Sequence, residues 1–176
     1  MEKTIFLIGF MGVGKSTLGK KLAKKLDVPF YDTDKEIEKI EGKTIQEIFS
    51  LYGELYFREL EKKWLQNFSI TNAVIATGGG MPCDINRLFL MKSLGTVVYL
   101  ERPIKELFVR LKDAKKKRPL VASLSEDELF TLIQKLLDER SPFYNQAHLV
   151  LKRDNQDITS VLNVLANKTK INQSRS

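Results

Sequence analysis

Short apolar runs alternate along this chain with longer stretches whose apolar residues recur at helical spacing. The β-rich runs are Thr4–Ile8, Phe30–Thr33, Ala73–Thr77, Thr96–Leu100 and His148–Lys152. Helical periodicity predicts helices over Lys15–Leu26, Asp34–Ile40, Thr44–Asn67, Ile85–Ser93, Ile104–Asp113, Ser125–Arg140 and Ile158–Asn167. Two capping boxes, Thr44-Ile45-Gln46-Glu47 and Ser125-Glu126-Asp127-Glu128, mark helix starts. Strands that alternate with helices predict a three-layer α/β/α domain around a five-stranded parallel sheet. The run Ile5-Phe6-Leu7-Ile8 is apolar without alternation, as expected of a central strand covered on both faces.

Two regions interrupt this rhythm. Residues 34–67 are too long and too helical for a single crossover, which predicts an inserted helical subdomain. Residues 114–124 are basic, polar and proline-bearing between two helices, the composition of a mobile lid. The expected domain therefore covers residues 1–167, with 168–176 a polar tail that frays.

Bulk properties narrow the class. The 176 residues suit one domain, and 43% apolar with 29% charged residues is ordinary for a globular protein. No apolar run is long enough to span a bilayer, and Met1-Glu2-Lys3 leads into a strand without a signal-peptide pattern. The single cysteine, Cys83, has no partner for an internal disulfide. These features predict a cytoplasmic protein without a membrane partner. The net charge of +7 admits either nucleic acid or small polyanions as ligands. Lys20, Lys21, Lys24 and Lys25 lie scattered on a helix rather than among aromatics, so no nucleic-acid partner is expected.

The first candidate chemistry is Gly9-Phe10-Met11-Gly12-Val13-Gly14-Lys15-Ser16, which fits G-x-x-x-x-G-K-[ST] between a strand and a helix. Glycines let the backbone wrap a phosphate chain so that successive N–H groups point at it, and the helix dipole adds to the attraction. Lys15 is expected on the β- and γ-phosphates and Ser16 on Mg²⁺, with a nucleoside triphosphate as ligand.

Three further motifs fall near the carboxyl ends of predicted strands, where open α/β sheets bind ligands. Asp32-Thr33-Asp34 closes the second strand and could be a helix cap or a working pair of acids. Thr77-Gly78-Gly79-Gly80 closes the third, and consecutive glycines there suggest a ligand close to the backbone. No acidic residue stands at that strand end to support a metal, which moves the role to Asp32. Arg58 lies in a helical stretch where a salt bridge to Glu54 or Glu61 is the plain structural explanation.

Taken with Arg118-Pro119-Leu120 and Arg140-Ser141-Pro142-Phe143-Tyr144, these motifs resemble the shikimate kinase family over nearly the whole chain. That family is a nucleoside-monophosphate-kinase-like branch of the P-loop NTPases. The resemblance implies phosphorylation of the 3-hydroxyl of shikimate by MgATP, in the route to chorismate and aromatic amino acids. Gly12, Val13, Gly14, Lys15, Ser16 and Thr17 would hold the phosphates. Mg²⁺ would sit on Ser16 directly and on Asp32 through water. Arg58 and Arg140 would grip the shikimate carboxylate with planar donors, and Gly79 and Gly80 would offer backbone N–H groups. Asp34 would orient the attacking hydroxyl and accept its proton. Arg118 would swing in with the lid over the transferring phosphoryl, and Arg110 and Gln156 would lie near adenine. Catalysis would thus rest on Lys15, Asp32, Asp34 and Arg118, in a monomer.

Phe49 and Phe57 could form an apolar wall of the substrate pocket or simply pack. His148, Trp64 and Cys83 are expected to be structural. Val121 departs from a common leucine in the lid, without touching an assigned role. Kinases of gluconate or nucleotides share the loop but account less well for Asp34, Arg58, Gly80 and Arg140 as a set. A GTP switch would need Asn-Lys-x-Asp, and Asn167-Lys168-Thr169-Lys170 lacks the final aspartate.

Overall fold

The computed structural model describes residues 4–113 and 124–173, with side chains described through residue 166. Arg118, Val121 and the lid expected over 114–124 fall outside the described residues except for Leu124. The chain runs β1 (Thr4–Ile8), α1 (Lys15–Leu26), β2 (Phe30–Asp32), α2 (Thr33–Glu41), α3 (Ile45–Gln66), β3 (Val74–Ala76) and α4 (Ile85–Leu94). It continues with β4 (Gly95–Leu100), α5 (Ile104–Asp113), α6 (Glu126–Tyr144), β5 (Leu149–Leu151), a 3₁₀ turn (Arg153–Asn155) and α7 (Ile158–Gln173).

All five strands are parallel, in the order β2-β3-β1-β4-β5. β1 is central and buried along its whole length, as its unbroken apolar run requires. Phe6, Leu7 and Ile8 have no exposed surface and anchor the main core with Leu22, Ile75, Val97, Leu111 and Tyr144. β3 and β4 flank β1, so the loops leaving the carboxyl ends of these three strands share one edge. Among the described residues no helix is long and apolar enough to cross a membrane.

The helical excursion over 34–67 forms α2 and α3 and has a small core of its own, Ile37, Ile48 and Phe57, with Phe49 and Trp64 packed against it. Phe57 is 4% exposed, and its ring lies 4.9 Å from that of Phe49, so packing accounts for both aromatics. α3 is broken at Gly53, where φ 79° and ψ 176° put the backbone in a region only glycine tolerates. The Thr44 capping box starts the first half of α3, and the second half carries Arg58 and Glu61.

Three expected boundaries move. The second strand stops at Asp32 because Thr33 already opens α2, its Oγ1 accepting from the Gly78 N–H at 2.9 Å. α6 continues past Arg140 to Tyr144 with Pro142 inside it. A proline in the last turn removes only one donor, and Ser141 Oγ donates to the Leu137 carbonyl at 2.6 Å. The tail expected to fray from residue 168 is instead helical as far as Gln173, continuing α7.

Candidate active site

The donor half begins where β1 turns into α1. Gly9, Gly12 and Gly14 have φ of 137°, 80° and 112°, so the loop takes a path that side-chain-bearing residues rarely adopt. Gly14 caps α1 with no side-chain hydrogen bond, and the positive end of the helix dipole begins there. Lys15 Nζ donates to the carbonyls of Gly9 at 2.7 Å and Phe10 at 2.9 Å, folded back over its own loop. Ser16 Oγ donates to Asp32 Oδ2 at 2.6 Å, which brings the two expected metal-supporting groups together. These are hard oxygen donors, and few of them. That suits Mg²⁺, which keeps much of its shell for water and phosphate.

Two arginines grip the outer side of the loop. Arg110 Nη1 donates to Gly12 O at 3.1 Å and Arg102 Nε to Val13 O at 3.1 Å. Glu106 ties Arg102 at 2.7 Å to Arg153 at 2.8 Å. Gln156 Nε2 donates to the carbonyls of Glu101 at 2.7 Å and Leu151 at 2.9 Å. A cavity of about 310 Å³ opens between these parts, lined by Val13, Gly14, Thr17, Arg102, Arg110 and Gln156 among others. The sequence reading missed Arg102. Its signal was its place in Glu101-Arg102-Pro103, directly after β4 on the ligand-binding edge.

The acceptor half gathers around the glycines after β3. A Cβ at Gly78 would lie 2.6 Å from Asp34 Oδ1 and 3.0 Å from Glu61 Oε1. One at Gly80 would lie 2.6 Å from Arg58 Cζ, and one at Gly79 would lie 3.4 Å from Arg140 Nη1. The close approach that calls for glycine is thus made by the protein's own Asp34, Glu61 and Arg58. This refines the expectation of a ligand against the backbone. The same point beside Gly79 is 3.5 Å from Gly9 O, so the two halves meet at one wall.

Arg58 makes both salt bridges anticipated for it, at 2.6 Å to Glu54 and 2.8 Å to Glu61. The second is not a surface pair, because Glu61 has no exposed surface. Asp34 Oδ1 and Glu61 Oε1 are buried and accept no hydrogen bond among the described residues. Burial, with Asp32 and Glu61 nearby, pushes the Asp34 carboxyl from 3.8 up to about 6 against the pull of Lys15. Burial also raises Glu61, opposed by Arg58. One oxygen on each of two buried carboxylates is thus left without a donor, close to the guanidiniums of Arg58 and Arg140. That set suits a small molecule carrying both hydroxyls and a carboxylate. His148 Nδ1 accepts from the Val97 N–H at 3.1 Å and Trp64 packs against both cores, which fits their structural assignment.

A phosphate loop that shares a wall with a pocket for a hydroxylated carboxylate defines a phosphate-loop kinase of small molecules. Comparison with known proteins narrows the class, for the shikimate kinase family model matches residues 11–170. A shikimate kinase of Bacteroides fragilis is 46% identical over 151 residues, covering 85% of this chain and 84% of that protein. The crystal structure of shikimate kinase from Bacteroides thetaiotaomicron is 39% identical, with TM-score 0.85 over 97% of this chain and 98% of that one. Shikimate kinase from Acinetobacter baumannii in complex with shikimate is 34% identical, with TM-score 0.82 over 97% and 94%. The chain belongs to the shikimate kinase family.

Proposed function

We propose that this protein transfers the γ-phosphoryl group of ATP to the 3-hydroxyl of shikimate, releasing ADP and shikimate 3-phosphate for aromatic amino acid biosynthesis. The observation that carries this is the gathering of Asp34 and Glu61, each with one carboxylate oxygen lacking a donor, beside the guanidiniums of Arg58 and Arg140 at a turn that also abuts the phosphate loop. Arg58 and Arg140 take the ring carboxylate, and the N–H groups of Gly79 and Gly80 add donors from the strand end. Asp34 accepts from the attacking hydroxyl, which fixes its approach, and takes its proton as the P–O bond forms. Its raised pKa keeps it near the balance point of such a transfer.

Phosphoryl transfer demands positioning and charge neutralisation more than a strong base. Residues Gly12–Thr17 cradle the phosphates, and Lys15 leaves the loop carbonyls to meet them. Mg²⁺, held by Ser16 directly and by Asp32 through water, would offset charge on the phosphate oxygens. Arg118, outside the described residues, is assigned to offset charge on the transferring phosphoryl, and residues 34–67 act as the substrate-binding subdomain. Arg110 and Gln156 flank the base. In this role the protein works as a monomer in the cytoplasm, without a nucleic-acid or membrane partner.

A coupled assay of ADP release with MgATP and shikimate tests the assignment, with product identity checked by mass spectrometry. Turnover on gluconate or nucleoside monophosphates, but not on shikimate, would refute it.

A further inference from the structure

The turn after β3 is held from behind, carbonyl by carbonyl. Gly78 O accepts from the Met81 N–H at 3.2 Å, Gly80 O from the Cys83 N–H at 3.0 Å and Met81 O from Arg87 Nε at 2.8 Å. The Gly79 carbonyl accepts instead from the Tyr144 hydroxyl at 2.6 Å, with the Cys83 thiol a more distant second donor at 3.7 Å. The Gly78 N–H is taken by Thr33. No acceptor among the described residues takes the N–H of Gly79 or of Gly80. The turn thus leaves two N–H donors unpaired at the residues that abut Arg140 and Arg58, Gly80 itself being buried.

The Gly79 carbonyl and the Gly80 N–H belong to one peptide unit, which is planar and trans. Its oxygen and its hydrogen point in opposite directions, so a donor fixed on the oxygen fixes where the N–H aims. Tyr144 is fitted to that task. It has no exposed surface, and its ring stacks on Tyr99 with centroids 5.1 Å apart. Burial raises its phenol above the ordinary value, so the hydroxyl stays a donor. Donation to the carbonyl also polarises the peptide and strengthens the N–H at its other end. Tyr144 follows Arg140 by four residues on α6, one helical turn away on the same face.

We infer that Tyr144 is a positioning residue of the acceptor site, its hydroxyl aiming the Gly80 N–H at the bound substrate through the Gly79 carbonyl. The inference rests on the acceptor-site assignment proposed above. It links the arginine that grips the carboxylate and the turn that offers the amide through one stretch of helix. Removing the hydroxyl releases the peptide plane to rotate and also takes a hydrogen-bond partner from Arg140, while Arg58 keeps its bridges to Glu54 and Glu61. The loss therefore falls on shikimate and not on ATP.

The test is Tyr144→Phe, which keeps the ring and deletes the donor. The expected result is a rise in KM for shikimate of about five- to tenfold, with KM for ATP within about twofold. In the ligand-free protein the ¹⁵N–¹H resonance of Gly80 should shift more than those of residues in α1. A second variant with 3-fluorotyrosine at position 144 preserves packing and makes the hydroxyl more acidic. It should move the Gly80 resonance opposite to Tyr144→Phe, and it keeps the test decisive if the phenylalanine variant folds poorly. A Gly80 resonance that responds to neither variant overturns the inference. So does a parallel rise in both KM values, the mark of general loosening. Because the resonance needs no turnover, a chain that fails to phosphorylate shikimate yet shows the shift would lose the acceptor assignment while keeping the lock.

Discussion

Replacing Arg58 with alanine disturbs stability and binding by different routes, and the structure separates the two. Arg58 bridges Glu54, whose side chain is 61% exposed, and Glu61, whose side chain is fully buried. A solvent-exposed pair contributes about 0–1 kcal/mol, whereas removing one partner of a buried pair costs about 3–5 kcal/mol. Glu61 is worse placed than most, because its Oε1 already has no hydrogen-bond partner. It can escape by taking up a proton, which burial favours, and Arg87 and Arg140 still pull on its charge. The lower end of the range therefore applies, about 3 kcal/mol, read from urea denaturation at neutral pH. Adding Glu61→Gln removes the stranded charge and should recover most of that loss. Shikimate binding should not recover with it. Two charge-assisted bonds to a carboxylate, at about 1.5 kcal/mol or more each, correspond to roughly a hundredfold rise in KM for shikimate in both variants. KM for ATP should stay within about twofold. A double variant as unstable as Arg58→Ala, or one that regains shikimate affinity, would refute this account of Arg58.

Asp34 and Gly80 offer independent checks. The Asp34 carboxyl lies at about 6 in the folded protein against 3.8 ordinarily, so between those values the folded state holds a proton that the unfolded state has released. Stability of the ligand-free protein therefore falls as pH rises through that window. Asp34→Asn should be the more stable protein at pH 8 by urea midpoint, with the difference closing toward pH 4, while its kcat drops by about two orders of magnitude or more. A difference that widens toward acid pH would contradict this. Gly80→Ala places a methyl group against the Arg58 guanidinium. KM for shikimate should rise about tenfold or more, with ATP binding intact; unchanged steady-state kinetics would show that Arg58 has room to move aside.

The elements of the sheet were legible because β1, β3, β4 and β5 each hold a contiguous apolar run, while β2 (Phe30-Tyr31-Asp32) leads into the acidic Asp32-Thr33-Asp34 motif. The phosphate loop was legible because its function fixes residue types at fixed spacing. Arg58 and Asp34 could be proposed from their motifs, but not the reason Glu61 matters. At three residues from Arg58 it looks like an ordinary helix-surface partner, and only the folded structure shows it buried beside Gly78 after β3. Tyr144 was hidden by a helix-stop signal, Ser141-Pro142, which the last turn of α6 overrides. Periodicity also could not carry α7 to Gln173 through the polar run that begins at Lys168.

The folded-back Lys15 has a consequence for which anions the loop accepts. With its ammonium hydrogen-bonded to the carbonyls of Gly9 and Phe10, the empty loop already has its nearest positive charge engaged. An incoming anion must outcompete two short charge-assisted bonds before it gains that cation. A lone inorganic phosphate has little else to offer in exchange. In the proposed function a nucleotide would bring further phosphates to the α1 N-terminus and a base to the cavity beside Arg110, and so could drive the swap. On that reading Lys15 would set a threshold that favours a nucleotide over a lone inorganic phosphate.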